Sequence, residues 1–423
     1  MKRTFTCLLA LLASFATWAD NVEVDGIYYE LDYPSRTASV TYNMVTAGNY
    51  ATYSGDVVIP SAITWGDTEY IVTTIGAQAF LQSKELTSVT IPETVTLISA
   101  NAFGSCTGLT SITIPNSVKE FGGFVFSSCT NLKTVKLGNG ITKLGGRMFQ
   151  GCTKLESINI PEGVTFIEDY TFEVCRALPS IDIPASCTKI GTAVFRACNA
   201  LQTIRVAADN PIYDSRGNCN AIIETATNKL IAGCNGTVIP NTVTVIGESA
   251  FQEIIGRTSL TIPGSVKTIE YAAFKKNSLT DVTFSEGLQT IDGYAFDGCG
   301  SLTTVLLPKT VTAIGSYAFN NCMHLNVVKA FMPEPFLLDG TAFARIDGTC
   351  VLYVPKGTRD AYIEKRWNEN IFMGGIKEMD EAGISTTTAD ARLASVRKVL
   401  DSGRITIITP GNRRYSIGGN SIE

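Results

Sequence analysis

Histidine is almost missing from this chain. His324 is the one copy in 423 residues. That removes histidine-assisted nucleophiles and most transition-metal sites, which need an imidazole beside a Ser, Cys or carboxylate. There is no Cys-x-x-Cys pair, and no G-x-S-x-G, H-E-x-x-H, G-x-x-x-x-G-K-[ST] or G-x-G-x-x-G. Carboxylates form no isolated pair of the kind that acid–base work requires. The reading is therefore a non-enzymatic protein, with no catalytic residue, no metal and no cofactor. Charge is scarce too. Charged residues make up 17% of the chain, 34 basic against 39 acidic, for a net charge of −5. No basic run or stripe exists, so nucleic acid is excluded as a partner. Beyond the first residues, no apolar run is long enough to span a bilayer.

What the chain has is a period. Phenylalanine recurs at Phe80, Phe103, Phe126, Phe149, Phe172 and Phe195, each 23 residues after the last. It returns at Phe251, Phe274, Phe296, Phe319 and Phe343. Around it repeats Ile-Pro-x-x-Val-Thr-x-Ile-Gly-x-x-Ala-Phe-x-x-Cys-x-x-Leu. A fixed period of this length specifies a stacked solenoid in which each coil buries its apolar face on the next. Each coil opens on Leu-x-x-Val-x-Ile, as in Leu86, Val89 and Ile91. These apolar positions point into the coil, and the residues between them point outward. A proline such as Pro92 ends the strand, because it has no ladder donor. Val-Thr-x-Ile returns to the core, and Ala-Phe is expected in a short helical turn that closes the coil.

This phrase resembles the BspA-like leucine-rich-repeat family of bacterial surface proteins, over roughly residues 56–379. The resemblance implies a β-rich α/β repeat solenoid, a right-handed coil stack with a parallel concave sheet. It also implies attachment to protein or glycoprotein ligands at a cell surface. A glycan-binding accessory protein and an envelope structural module are the alternatives. A glycan-binding role requires a cluster of stacking rings, and the concave slots read from the sequence hold none.

Residues 1–19 read as a signal peptide, with Lys2 and Arg3, an apolar stretch from Leu8 to Ala16, and Thr17-Trp18-Ala19 before Asp20. The protein is expected to be exported, to the outside or the outer cell surface. Residues 20–75 are expected to form a β cap, 76–328 the solenoid, and 329–379 a strand-and-helix cap with Ala361, Tyr362 and Trp367 covering the last coil. Residues 380–395 read as a Ser/Thr/Ala linker. Residues 396–423 read as a small β-rich tail, equally consistent with a sorting or attachment segment and with a plain strand extension.

The period breaks once. Phe195 and Phe251 are more than two periods apart, and residues 207–238 read as an elaborated coil with a protruding hairpin. Its loop residues Asp209, Tyr213 and Asp214 are candidate contacts, since function on scaffolds collects on loops. Cys219 and Cys234 bracket the hairpin almost symmetrically. Either they form a disulfide or they are separate core thiols. Seven other cysteines, Cys106 to Cys322, stand in register three residues after a phenylalanine. That slot elsewhere holds Ser83, Asn277 and Ile254, so it reads as a small inward side chain rather than a disulfide. The outward slots of the concave strand form a ladder of Ser and Thr interrupted by Lys136, Asn159, Asp182 and Arg205. These four are the candidate binding residues of that face. Arg257 stands where the repeat has leucine.

Overall fold

Every coil begins on the leucine strand, and these strands stack in parallel register. Residues 111–113, 134–136 and 157–158 pair side by side, as do 180–183 with 203–206. Past the insert, strands beginning at Ser259, Asp281, Thr304, Val327, Val351 and Ile376 continue a six-stranded parallel sheet. The structure, a computed structural model, describes residues 21–379 apart from 43, 47–48 and 51, together with four short strands within 397–422. It is a β-solenoid of about 13 turns with parallel sheets and little helix.

The proline that ends each strand also starts the next turn. Its carbonyl accepts the N–H three residues on, as in Val95 to Pro92 (3.1 Å) and Val266 to Pro263 (3.0 Å). The Val-Thr-x-Ile segment then forms a second, shorter ladder. Leu97–Ile98, Glu120–Phe121 and their successors pair in parallel. Each contributes one fully or nearly buried apolar side chain, such as Ile98, Leu144 or Ile167.

The third side of the coil departs from expectation. The Ala-Phe segment is not a helical turn. Two residues per coil, two before and two after the phenylalanine, adopt left-handed backbone. In the first coil these are Gln78 and Gln82, both at φ +60°. The alternation turns every second N–H along the solenoid axis. Gln78, Phe80 and Gln82 donate to carbonyls of the next coil at Ala100, Ala102 and Gly104 (2.8–3.0 Å), while Ala79, Leu81 and Ser83 close turns within their own coil. A helix would send all its N–H groups inward along one chain. Here the turns build a third ladder, which leaves few backbone groups unbonded.

The phenylalanines stack as the period requires. Rings from Phe80 to Phe195 lie nearly parallel at 5.0, 5.3, 5.5, 5.6 and 5.7 Å. The in-register thiols bond to this column. Cys106 Sγ donates to Phe80 O at 3.0 Å, and Cys129 to Phe103 O at 3.0 Å. Asn277 Nδ2 makes the same bond to Phe251 O at 3.1 Å. The slot therefore gives each phenylalanine carbonyl a second hydrogen bond beside the turn N–H three residues on, such as Ser83 N to Phe80 O at 3.0 Å. Burial, with a nearby carboxylate adding to it, pushes Cys198 and Cys299 up to about 12.

The hairpin at 207–238 does not protrude. Strands Ala221–Glu224 and Lys229–Gly233 pair antiparallel and lie inside the stack. Lys229–Gly233 joins the second ladder beside Val245–Ile246. Ile222 and Ala232 face the coils before the insert, and Ala221, Ile223 and Leu230 face those after it. The hairpin is a diaphragm that divides the core into two apolar clusters. Both its faces are apolar, which is why it is buried rather than displayed.

At the N-terminal side, Asn21–Val24, Ile27–Asp32 and Thr37–Thr41 form an antiparallel meander. Its last strand pairs in parallel with Thr68–Ile75 at the head of the second ladder. At the other side, Tyr362 and Trp367 are fully buried, with Tyr362 Oη donating to Met332 O and Trp367 Nε1 to Phe336 O. Ala361 points outward. The segment beyond residue 396 contains four antiparallel strands, Arg397–Asp401, Arg404–Ile408, Arg414–Ser416 and Ser421–Ile422. The signal peptide and the linker lie outside the described residues.

Candidate binding surface

The outward slots of the leucine strands do line up across coils. Lys136 is exposed beside Thr113. Arg205 stands beside Asp182 and forks onto it, Nε to Oδ1 at 2.6 Å and Nη2 to Oδ2 at 3.3 Å. Both side chains stay more than half exposed. Asn159 is exposed, but its amide is committed to the adjacent coil. It accepts from Leu137 N (2.9 Å) and donates to Leu137 O (3.2 Å), standing in for a strand rung. Past the insert the slots change character. Leu306, Lys329, Tyr353 and Lys377 follow one another in register, with Lys329 Nζ 5.8 Å from the Tyr353 ring centre. The concave ladder therefore carries an aromatic, Tyr353, in the strand that follows Lys329.

The insert residues separate into displayed and structural ones. Asp209 is exposed. Tyr213 is not a contact residue, because its side chain is buried in the first core cluster. Asp214 is half-buried and bound by Arg216 at 2.6 Å and Thr225 at 3.1 Å. Burial raises its pKa, but these hydrogen bonds outweigh it and hold the carboxyl below its ordinary value. Cys219 and Cys234 are both free thiols. The register pairs Ala221 with Gly233, which sets Asn220, not Cys219, against Cys234. Cys234 Sγ accordingly meets Asn220 O at 3.2 Å, and the two cysteines belong to opposite clusters.

The insert also interrupts the concave sheet. Residues 235–239 occupy the place of a leucine strand without pairing as one, and Ser259–Ile262 is left as an edge. Arg257 explains its own departure from the repeat here. It donates to Thr237 O (2.5 Å), Asn235 O (3.3 Å) and Ser259 O (2.9 Å), filling the gap where leucine would leave carbonyls unbonded. Burial pulls its guanidinium below the ordinary value. Beside it lies a cavity of about 370 Å³ lined by Val238, Asn241, Ser259 and Thr261, among others.

A second surface was invisible in the sequence. The left-handed slot two residues before the phenylalanine holds Phe124, Arg147 and Tyr170, all partly exposed, in three successive coils. The Arg147 guanidinium lies between the two rings, 5.6 Å from Phe124 and 4.6 Å from Tyr170. Gly123 and Gly146 leave a cavity of about 610 Å³ against this column. Phe166, Glu168 and Asp169 form its other wall. Burial raises the Glu168 pKa, but Lys143 and the Gly146 N–H hold the carboxyl below its ordinary value. In the later coils Tyr271, Tyr294 and Tyr317 make a similar column at 5.4 and 5.1 Å. Among the described residues no group of three metal-ligating side chains converges, and no helix is long and apolar enough to cross a membrane.

The model for the BspA-type leucine-rich-repeat region matches residues 73–204 and 229–344 in six copies, more than half of the chain. The protein belongs to the BspA-type leucine-rich-repeat family. A crystal structure of a leucine-rich cell surface protein from Faecalibacterium prausnitzii is similar at 27% identity and a TM-score of 0.58, covering 87% of this chain and 97% of that one. The pneumococcal vaccine antigen PcpA shares the fold at 18% identity and a TM-score of 0.60, over 86% of this chain and 99% of that one. No curated protein sequence matches. The gap between the matched repeats, residues 205–228, overlaps the insert.

Proposed function

We propose that this family member is an exported, surface-displayed, non-enzymatic binding protein that attaches to proteins of a host or neighbouring cell. The observation that carries the reading is a rigid ladder whose inward positions are uniform and whose exposed slots differ from coil to coil. Lys136, the Asp182–Arg205 pair and Asp209 are the displayed departures nearest the insert. The likeness to a structure described as a cell surface protein supports the location. Contacts of this kind are broad and individually weak, and gain strength from several copies on one surface. Residues 1–19 would direct export, and the strands beyond residue 396 would serve sorting or attachment.

The test has two arms. Protease shaving of intact cells should release the protein, and the purified chain should bind immobilised matrix or plasma glycoproteins. Lys136→Glu with Arg205→Glu should weaken that binding without changing the unfolding midpoint. A protein that resists shaving points to an internal structural module and sinks the reading.

A further inference from the structure

The face built by Phe124, Arg147 and Tyr170 has no part in the concave ladder, and it carries chemistry the ladder lacks. We propose that the cavity between this column and Phe166 binds a neutral oligosaccharide. Four observations converge on it.

The first is the residue choice. The slot two before the phenylalanine is left-handed in every regular coil, whatever residue fills it: Gln78, Asn101, Ala193 and Ser249 among others. Glycine and asparagine adopt that conformation readily, and bulky side chains resist it. Phe124 (φ +60°), Arg147 (+54°) and Tyr170 (+57°) are nevertheless held there together. Side chains kept against backbone preference mark sites where the side chain is needed.

The second is the donor set. Arg147 is flattened between two rings, and its side chain makes no hydrogen bond. Its Nε is buried 4.0 Å from Glu173 Oε2, so the donors left to a ligand are the two terminal nitrogens of the partly exposed guanidinium. A guanidinium edge with parallel free donors fits two neighbouring hydroxyls of a sugar ring.

The third is the acceptor set and charge. Asp169 uses Oδ1 on Thr192 N at 2.7 Å and is exposed. Glu168 is already neutralised by Lys143 at 2.8 Å. Around the cavity Lys143, Arg147 and Lys189, whose Nζ lies 4.3 Å from the Phe166 ring centre, face Glu168, Asp169 and the nearby Glu173, so neither sign dominates, which favours an uncharged ligand over an acidic or a basic one.

The fourth is shape. Gly123 and Gly146 leave the floor bare, and the walls are the rings of Phe124, Phe166 and Tyr170. The cavity of about 610 Å³ accommodates sugar rings, where a protein contact would ask for a broader and flatter patch.

This reaches beyond the adhesion reading, because the concave ladder and this cavity lie on different faces and fail separately. The full chain is to be applied to an array of neutral and acidic oligosaccharides, then titrated by calorimetry with N-acetyllactosamine, mannotriose and cellotetraose. A neutral saccharide should bind. Tyr170→Asn and Phe124→Asn should each weaken it tenfold or more without lowering the unfolding midpoint by more than a few degrees, because asparagine suits the backbone there. Arg147→Lys should also weaken it, since an ammonium cannot fork onto two hydroxyls. Binding unchanged in Tyr170→Asn overturns the proposal. So does an array on which the folded protein retains no neutral glycan. Loss of a matrix-protein contact in Tyr170→Asn, with the array silent, makes this a protein-binding face instead.

Discussion

The coils before the insert and those after it use the same phrase, yet they pack differently. In the first stack the phenylalanine rings fan apart steadily, from 5.0 Å at Phe80–Phe103 to 5.7 Å at Phe172–Phe195. In the second they hold between 4.9 and 5.2 Å. Strands in a sheet lie about 4.8 Å apart, so the first stack opens on its phenylalanine side as it nears the insert. The diaphragm hairpin is where that opening stops. Cooperation between stacks is left to a few contacts, notably Arg196, which ion-pairs with Glu173 in its own stack and Glu253 in the next at 2.9 and 2.7 Å. The lesson is that a repeat array can be divided by a strand pair that looks like decoration.

Four measurements would break or sharpen this division. The largest effect is expected from Phe126→Ala, which removes a ring from the middle of the first stack. It should cost about 3–5 kcal/mol. Hydrogen exchange should rise from Phe80 to Phe195 and stay unchanged beyond Phe251; a uniform rise would mean one cooperative unit. Next come Ile222→Ala and Ile223→Ala, adjacent residues on opposite faces of the diaphragm. Each should cost about 2–4 kcal/mol, the first loosening the early coils and the second the late ones. Identical exchange maps would contradict the two-cluster core. Arg257→Leu restores the repeat residue and strands carbonyls, so it should destabilise by roughly 1–3 kcal/mol; a more stable variant would show that the gap closes without the guanidinium.

The smallest effect concerns acid. Burial raises the Glu253 pKa, but Arg196 and Lys276 outweigh it, so the folded value lies below the ordinary 4.5. A depressed carboxyl stabilises the fold above its unfolded value and loses that contribution as pH falls through the folded one. Unfolding midpoints should therefore drop on acidification below about pH 4.5. Glu253→Gln should shrink that drop, and an equal drop in both proteins would assign it elsewhere.

Much of this was legible in the residues. The period gave the coil, the ring column, the strand-ending prolines and the inward cysteine slot, because each is enforced in every coil by burial. Three features were not legible, for different reasons. Left-handed backbone at Phe124 and Tyr170 leaves no trace when the residue is neither glycine nor asparagine. Tyr213 sits in a turn-rich loop, where no periodic pattern separates a buried ring from a displayed one. The hairpin did carry a signal: Ala221-Ile222-Ile223 is apolar without alternation, which is how a strand buried on both faces reads. Arg257 stood out as a departure, but its carbonyl partners at Asn235 and Thr237 become neighbours only once the coils stack.

The bond from each in-register cysteine to the phenylalanine carbonyl of the coil before it has a kinetic consequence. Among the described residues eleven thiols are buried, and a buried thiol of raised pKa reacts slowly with oxidants. The same thiols on an unfolded chain in an oxidising compartment would cross-link at random. In such a compartment folding would have to outrun oxidation, and the solenoid favours that race, since each coil needs only its immediate neighbour and closes over short sequence separations. Alkylation of the denatured protein should give one mass with or without prior reduction, and a sub-population of mismatched disulfides would record the chains that lost.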